Sequence, residues 1–157
     1  MNDPIVIVSA ARTPMGSFQG VFGSLSAPQL GAVAIKAAVG RAGIDPSLVE
    51  EVVFGCVLPA GVGQAPVRQA ALLAGLPLST SCAMVSKVCG SGMKATMVGH
   101  DGILAGSSGV TVVGARCRLR SEPGCGRAAR PRPPGRSRPG LCTVSYTHLT
   151  LPTNREV

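Results

Sequence analysis

VSKVCGSGMKA, residues 85–95, sets Cys89 between a run of strand character and a stretch with helical spacing. The run before it, Cys82 to Ser86 (CAMVS), has strand length. The stretch after it, from near Gly90 to about Ala105, carries Met93, Met97, Ile103 and Leu104 as its larger apolar side chains. A cysteine at such a junction stands at a helix N-terminus, where unpaired backbone N–H groups and the macrodipole favour an anion. The thiolate is the form that attacks an acyl carbon. Gly90 and Gly92 flank Ser91 and are expected to leave the backbone open to a substrate, with N–H groups available to a developing oxyanion. Strand, Cys, Gly-x-Gly and helix together outline a nucleophile elbow. Spacing alone leaves two other readings open. Cys89 could be a small buried apolar residue before a Gly turn, or the glycines could cradle a phosphate. The second is poorly supported, because neither GxGxxG nor GxxxxGK[ST] occurs here.

Working outward, the same alternation repeats. Ile5 to Ala10 (IVIVSA), Glu51 to Val57 (EVVFGCV) and Val110 to Gly114 (VTVVG) are further β-branched runs of strand length. A first helix is expected from about Pro28 to Arg41, with Ser26 as a possible N-cap and Gly43 just beyond its end. Leu30, Val33, Ala34, Ala37 and Ala38 are placed on one side of it. A second is expected from Pro66 to Ala74, with Pro at the first turn and Gly75 and Pro77 closing it. Strands alternating with helices argue for βαβ units and a largely parallel sheet. Nearly continuous apolar strands suit a sheet covered on both faces. Four strands alone leave a wide apolar face open unless another half of the molecule covers it.

Composition bounds the rest. The 157 residues suffice for one ordinary domain. Hydrophobic residues make up 45%, yet with three Phe, one Tyr and no Trp the core must be built from Ala, Val, Leu and Ile. No apolar run reaches the ~20 residues of a membrane span, and Met1 to Asp3 lacks the flank of a secretory signal. The cytoplasm is therefore the expected compartment, with the six Cys as reduced thiols.

The net charge of +8 is not evenly spread. Residues 1–115 hold six Lys and Arg against five Asp and Glu, whereas residues 116–157 hold nine Arg against two Glu. From Arg116 to Cys142, Arg, Pro and Gly fill 17 of 27 positions, a composition that buries too little apolar surface to offset chain entropy. Residues 115–157 are therefore expected to be a disordered tail. Its Arg, Pro, Gly and Ala bias matches an out-of-frame reading of a GC-rich gene, and Ser145 to Val157 (SYTHLTLPTNREV) resembles a translated sequencing-adapter tail. A nucleic-acid arm is the rival reading. With one Tyr and no Phe the tail lacks the rings for base stacking, so no nucleic-acid partner is expected.

Three stretches carry a resemblance: IVIVSAARTPMGSFQG (5–20), GQAPVRQAALLAGLP (63–77) and VSKVCGSGMKA (85–95). In them, and in their order and separation, the chain resembles the thiolases, acetyl-CoA C-acetyltransferases in particular, over residues 1–114. The resemblance implies a thiolase-like α/β fold, of which this chain holds the N-terminal βαβαβαβ portion. It also implies acyl transfer in two steps, forming or cleaving acetoacetyl-CoA or a 3-ketoacyl-CoA through a Cys89 acyl thioester. Coenzyme A thioesters would be substrates, with no resident cofactor and no metal, and full-length members are dimers or tetramers. In the family the Cys89 N–H is one donor of the oxyanion hole. The family's activating His, second Cys and oxyanion Asn come from a C-terminal half that this sequence does not match, and from Val112 it reads VVGARCRLR where the family continues differently. The chain is accordingly expected to show no turnover alone. Two alternatives stand beside this reading: a ketosynthase-type condensing enzyme of the same fold, and a non-enzymatic truncated fragment with a basic tail.

Other residues are set aside. His100, in the third helix, reads as a surface or cap residue without a partner, and His148 lies in the tail. Cys56 and Cys82 read as core thiols. Cys117, Cys125 and Cys142 lack the close pairing of a zinc site. Arg68 and Gln69 read as supports of the fold near the site or a subunit contact, and Arg12 to Pro14 as a strand-to-loop turn.

Overall fold

The computed structural model describes residues 4–15, 21–59, 61–116 and 150–152. Helix α1 spans Ala27–Ala42, β1 Glu51–Cys56, α2 Pro66–Leu73, β2 Ser81–Val85, α3 Ser91–Leu104, β3 Val110–Arg116 and β4 Thr150–Pro152, with a 3-10 turn at Pro46–Leu48. The sheet order is β2-β1-β3-β4. Strand β1 lies in the centre and pairs parallel with both β2 and β3. The α/β parallel sheet expected from the alternating pattern is therefore present.

Local signals set the helix ends. The Ser26 hydroxyl accepts from the Gln29 N–H at 3.3 Å while Gln29 Oε1 accepts from the Ser26 N–H at 2.6 Å, a reciprocal cap that satisfies two donors with no intrahelical partner. Gly43 closes α1 in the left-handed region, at φ 68°. Pro66 sits in the first turn of α2, where its missing N–H costs nothing.

The layers follow from β1, whose residues Val52 to Cys56 are all buried. Alternate side chains point to opposite faces of the sheet. Val52 and Phe54 join Val112, Ile35 and Val39 of α1, and Val67, Ala70 and Ala71 of α2 in one core. Val53 joins Val113 with Ala95 and Ile103 of α3 in the other. Glycines let the layers approach closely. A Cβ on Gly99 would lie 2.4 Å from Val113 Cγ1, and one on Gly31 would lie 3.2 Å from the Ala70 Cβ.

Three expectations are corrected. Ile5 to Ala10 forms no strand; Ser9 alone is a bridge residue, and Ile7 is 55% exposed. The start of the β3 edge pairs antiparallel with β4, through Val110↔Pro152 and Val112↔Thr150. The N-terminal run is tied down instead by Arg41 Nη1, which donates to the Ala10 carbonyl at 2.8 Å. Second, β3 runs on to Arg116, and Thr150–Pro152 of the expected disordered tail forms an edge strand. Proline is tolerated on such an edge because no neighbour needs its donor. Residues 117–149 and 153–157 lie outside the described residues. Third, α1 buries Ile35 and Val39, and Val33 is 60% exposed. In a helix so rich in alanine several faces are apolar, and the bulkier Ile35 and Val39 decide which one turns inward. On α3 Ile103 is buried while Met93, Met97 and Leu104 are exposed, since the sheet-facing side is filled by Ala95, Gly99 and Ile103.

Buried hydroxyls pin the layers to each other. Thr80, just before β2, is 2% exposed and its Oγ1 donates to the Val49 carbonyl at 2.9 Å. Thr80→Val keeps the shape but leaves that carbonyl without this donor, and is expected to cost about 1–3 kcal/mol. A urea midpoint unchanged from the parent chain would show that the bond contributes nothing.

Candidate functional site

The candidate site lies at the carboxyl ends of the three parallel strands, over which the first turn of α3 is laid. A Cβ on Gly55, near the end of β1, would lie 2.5 Å from the Ser91 carbonyl carbon; one on Gly92 would lie 2.9 Å from the Ala115 Cβ near the end of β3. Helix α3 therefore starts in contact with the sheet, immediately after β2 ends at Val85. Such carboxyl ends are where open α/β sheets place ligands.

Cys89 stands one residue before the N-cap, Gly90, and is exposed. It forms an isolated parallel bridge with Lys87. The turn that holds it is tight. Gly90 N–H donates to the Lys87 carbonyl at 2.9 Å and Ser91 N–H to the Val88 carbonyl at 3.2 Å. Val88 has φ 47°, a left-handed conformation that is a genuine outlier for a β-branched residue. Strand, cysteine and helix N-terminus are thus arranged as an elbow with Cys89 exposed.

The glycines differ in role from their expectation. Gly92 is a packing residue, since its bare Cα faces Ala115 rather than solvent. Gly90 is half-buried, and a Cβ there would be in ordinary contact with the Lys87 carbonyl oxygen at 3.4 Å. Reading the sequence alone missed two determinants, Gly55 and Ser91. The signal for Gly55 was present: a lone glycine inside EVVFGCV marks a close backbone approach. Ser91 had no signal beyond being a small residue between two glycines.

Arg68 and Gln69 of α2 both hold loops. Arg68 Nη1 donates to the Thr80 carbonyl and Nη2 to the Leu78 carbonyl, both at 2.6 Å, fixing the approach to β2. Gln69 Nε2 donates to the Gln64 carbonyl at 2.6 Å and the Val62 carbonyl at 3.2 Å, bracing the loop before α2. Ala65, the residue that opens α2, is itself left-handed at φ 47°.

The other thiols are unlike Cys89. Cys56 is buried at the end of β1, as expected of a core thiol. Cys82 is half-buried; desolvation pushes its thiol above the ordinary range, partly opposed by the Arg68 guanidinium. His100 is exposed and does have a partner, Asp101 Oδ1 at 3.3 Å from its Nδ1, contrary to the expectation that it lacked one. Nine residues of helix separate it from Ser91, about 13 Å of rise, too far for it to act as a base on Cys89. Among the described residues there is no group of three or more His, Cys, Asp or Glu that could hold a metal ion. No helix among them is long and apolar enough to cross a membrane.

Comparison with known proteins gives a consistent picture. The thiolase N-terminal domain family matches residues 5–131, a range that runs past Gly114 into the Arg-rich stretch. Acetyl-CoA acetyltransferase 2 of Arabidopsis thaliana is 53% identical over 119 residues, which is 76% of this chain and 30% of that protein. The mitochondrial acetyl-CoA acetyltransferase B of Xenopus laevis is 52% identical over 128 residues, 81% of this chain and 30% of that one. The chain thus spans about 30% of the length of the curated relatives it matches. Among solved structures, the Acat5 thiolase of Ascaris suum in complex with coenzyme A superposes with a TM-score of 0.73 at 34% identity, over 90% of this chain and 35% of that one.

Proposed function

The chain belongs to the thiolase family, and from that premise we propose that Cys89 is an acyl acceptor that takes the acyl group of a coenzyme A thioester. One observation carries the reading: an exposed, free cysteine immediately before the N-cap of α3. The sulfur attacks the thioester carbonyl carbon, the oxygen gathers negative charge, and collapse of the tetrahedral species expels the thiolate of coenzyme A, leaving the acyl group on Cys89. Backbone N–H groups at the amino end of α3 and the helix dipole would stabilise that oxygen as it becomes negative.

In the whole protein this half-reaction would be coupled to thiolytic cleavage or Claisen condensation of acyl-CoA thioesters. The activating His, the second Cys and the oxyanion Asn of the family lie in the part of its relatives that this chain does not match. Nucleophile and bases act as a unit whose contributions are not additive. We therefore assign to these 157 residues a single acylation at most, without turnover. Coenzyme A thioesters act as substrates rather than as a resident cofactor. The cytoplasm remains our reading of the compartment; the names of its relatives include a cytosolic form and mitochondrial ones.

Incubation with acetyl-CoA is expected to give one acetyl adduct per chain by intact mass, mapped to Cys89 and lost in Cys89→Ala. An adduct that survives Cys89→Ala, or steady release of coenzyme A by the parent chain, would overturn the respective halves of this reading.

A further inference from the structure

We infer that Ser91 is a positioning residue for Cys89: its hydroxyl locks the left-handed turn at Val88 and so fixes where the thiol points. This rests on the acyl-acceptor reading of Cys89 and adds the group that orients it. Ser91 is 3% exposed although it lies two residues from an exposed cysteine. Its Oγ accepts from the Lys87 N–H at 2.8 Å and donates to the Val88 carbonyl at 2.7 Å, so one hydroxyl spans both sides of Val88. The Val88 carbonyl also receives the Ser91 N–H at 3.2 Å. Val88 needs such restraint. Its φ of 47° is disfavoured for a β-branched residue, and its side chain is 67% exposed, so packing does little to hold it there.

The anchor is itself immobilised. The places a Cβ on Gly55 would meet include the Ser91 carbonyl carbon, its oxygen and its Cβ, at 2.5, 2.6 and 2.7 Å. The sheet holds Ser91, Ser91 holds Val88, and Val88 precedes Cys89 in the chain. A group that contributes only to stability would not require this order of contacts. Without the hydroxyl, Val88 is free to relax toward negative φ, and the following residue turns with it.

The test compares Ser91→Ala, Val88→Gly and the double variant in the full 157-residue chain. Two rates are read at Cys89 by mass: acetylation by acetyl-CoA and alkylation by iodoacetamide. Ser91→Ala is expected to slow acetylation about tenfold, the scale of losing one or two buried hydrogen bonds. Glycine adopts positive φ without a Cβ penalty, so Val88→Gly in the Ser91→Ala background should recover most of that loss. Alkylation of Cys56 and Cys82 in the same molecules reports general loosening and should stay at the parent rate. The inference is overturned if Ser91→Ala leaves both Cys89 rates unchanged, if Val88→Gly restores nothing, or if Cys56 and Cys82 become reactive in step. If the parent chain takes no acetyl group but Ser91→Ala still alters alkylation of Cys89, with rescue by Val88→Gly, then the acyl-acceptor reading fails and the positioning role stands.

Discussion

Gly55→Ala is expected to slow acetylation of Cys89 about a hundredfold and to cost the fold about 1–3 kcal/mol. The added methyl would sit 2.5 Å from the Ser91 carbonyl carbon and 2.6 Å from its oxygen, and these are backbone atoms with no rotamer to change. The first turn of α3 must lift off β1, and Cys89 moves with it. A displacement of the order of 1 Å at a reacting group is enough for a loss of this size. Gly40→Ala is the matched control. That residue lies in α1 with no atom within 4 Å of its absent Cβ, so the change should be neutral or slightly stabilising through helix propensity. Mass-resolved acetylation rates and urea melts on both variants decide the matter. Equal behaviour of the two would mean that contact between β1 and α3 does not set the site.

Phe54→Ala is expected to remove about 3–5 kcal/mol of unfolding free energy, the usual range for truncating a buried aromatic. The ring is 2% exposed and occupies the space that two glycines leave. A Cβ on Gly31 of α1 would lie 3.5 Å from its Cε2, and one on Gly114 of β3 would lie 2.9 Å from its Cε1. With no Trp in the chain and only three Phe, nothing of similar size lies near enough in sequence to fill the void. Domains are stable by only about 5–15 kcal/mol, so much of the chain would be unfolded under mild conditions. Circular dichroism during urea titration gives the number directly, and a change below about 1 kcal/mol would contradict a ring-centred core.

The helices were legible because their punctuation is local. Ser26, Pro66, Gly43 and Gly90 each act on their own backbone, and all three helices lie within two residues of the bounds their signals predict. The strands 51–56, 81–85 and 110–116 were legible from β-branched runs. Ile5 to Ala10 has the same composition and forms no strand, because composition sets strand propensity while pairing is set by tertiary context. Cys89 was legible as a site candidate because a cysteine at a strand-to-helix junction has a physical reason to be reactive. The hold on Val88 was not, since it needs the hydroxyl of a residue three positions on, folded back over the turn.

The central place of β1 has a kinetic consequence. Its partners in the sheet lie 30 and 60 positions further along, as in Glu51↔Ser81 and Glu51↔Thr111. No hairpin can seed such a sheet, and two long loops must close before the middle ribbon gains either neighbour. As the polypeptide leaves the ribosome, this strand waits 30 positions for its first neighbour and 60 for its second. Chaperone capture during that interval, rather than the final stability, is then expected to govern how much folded product a cell recovers.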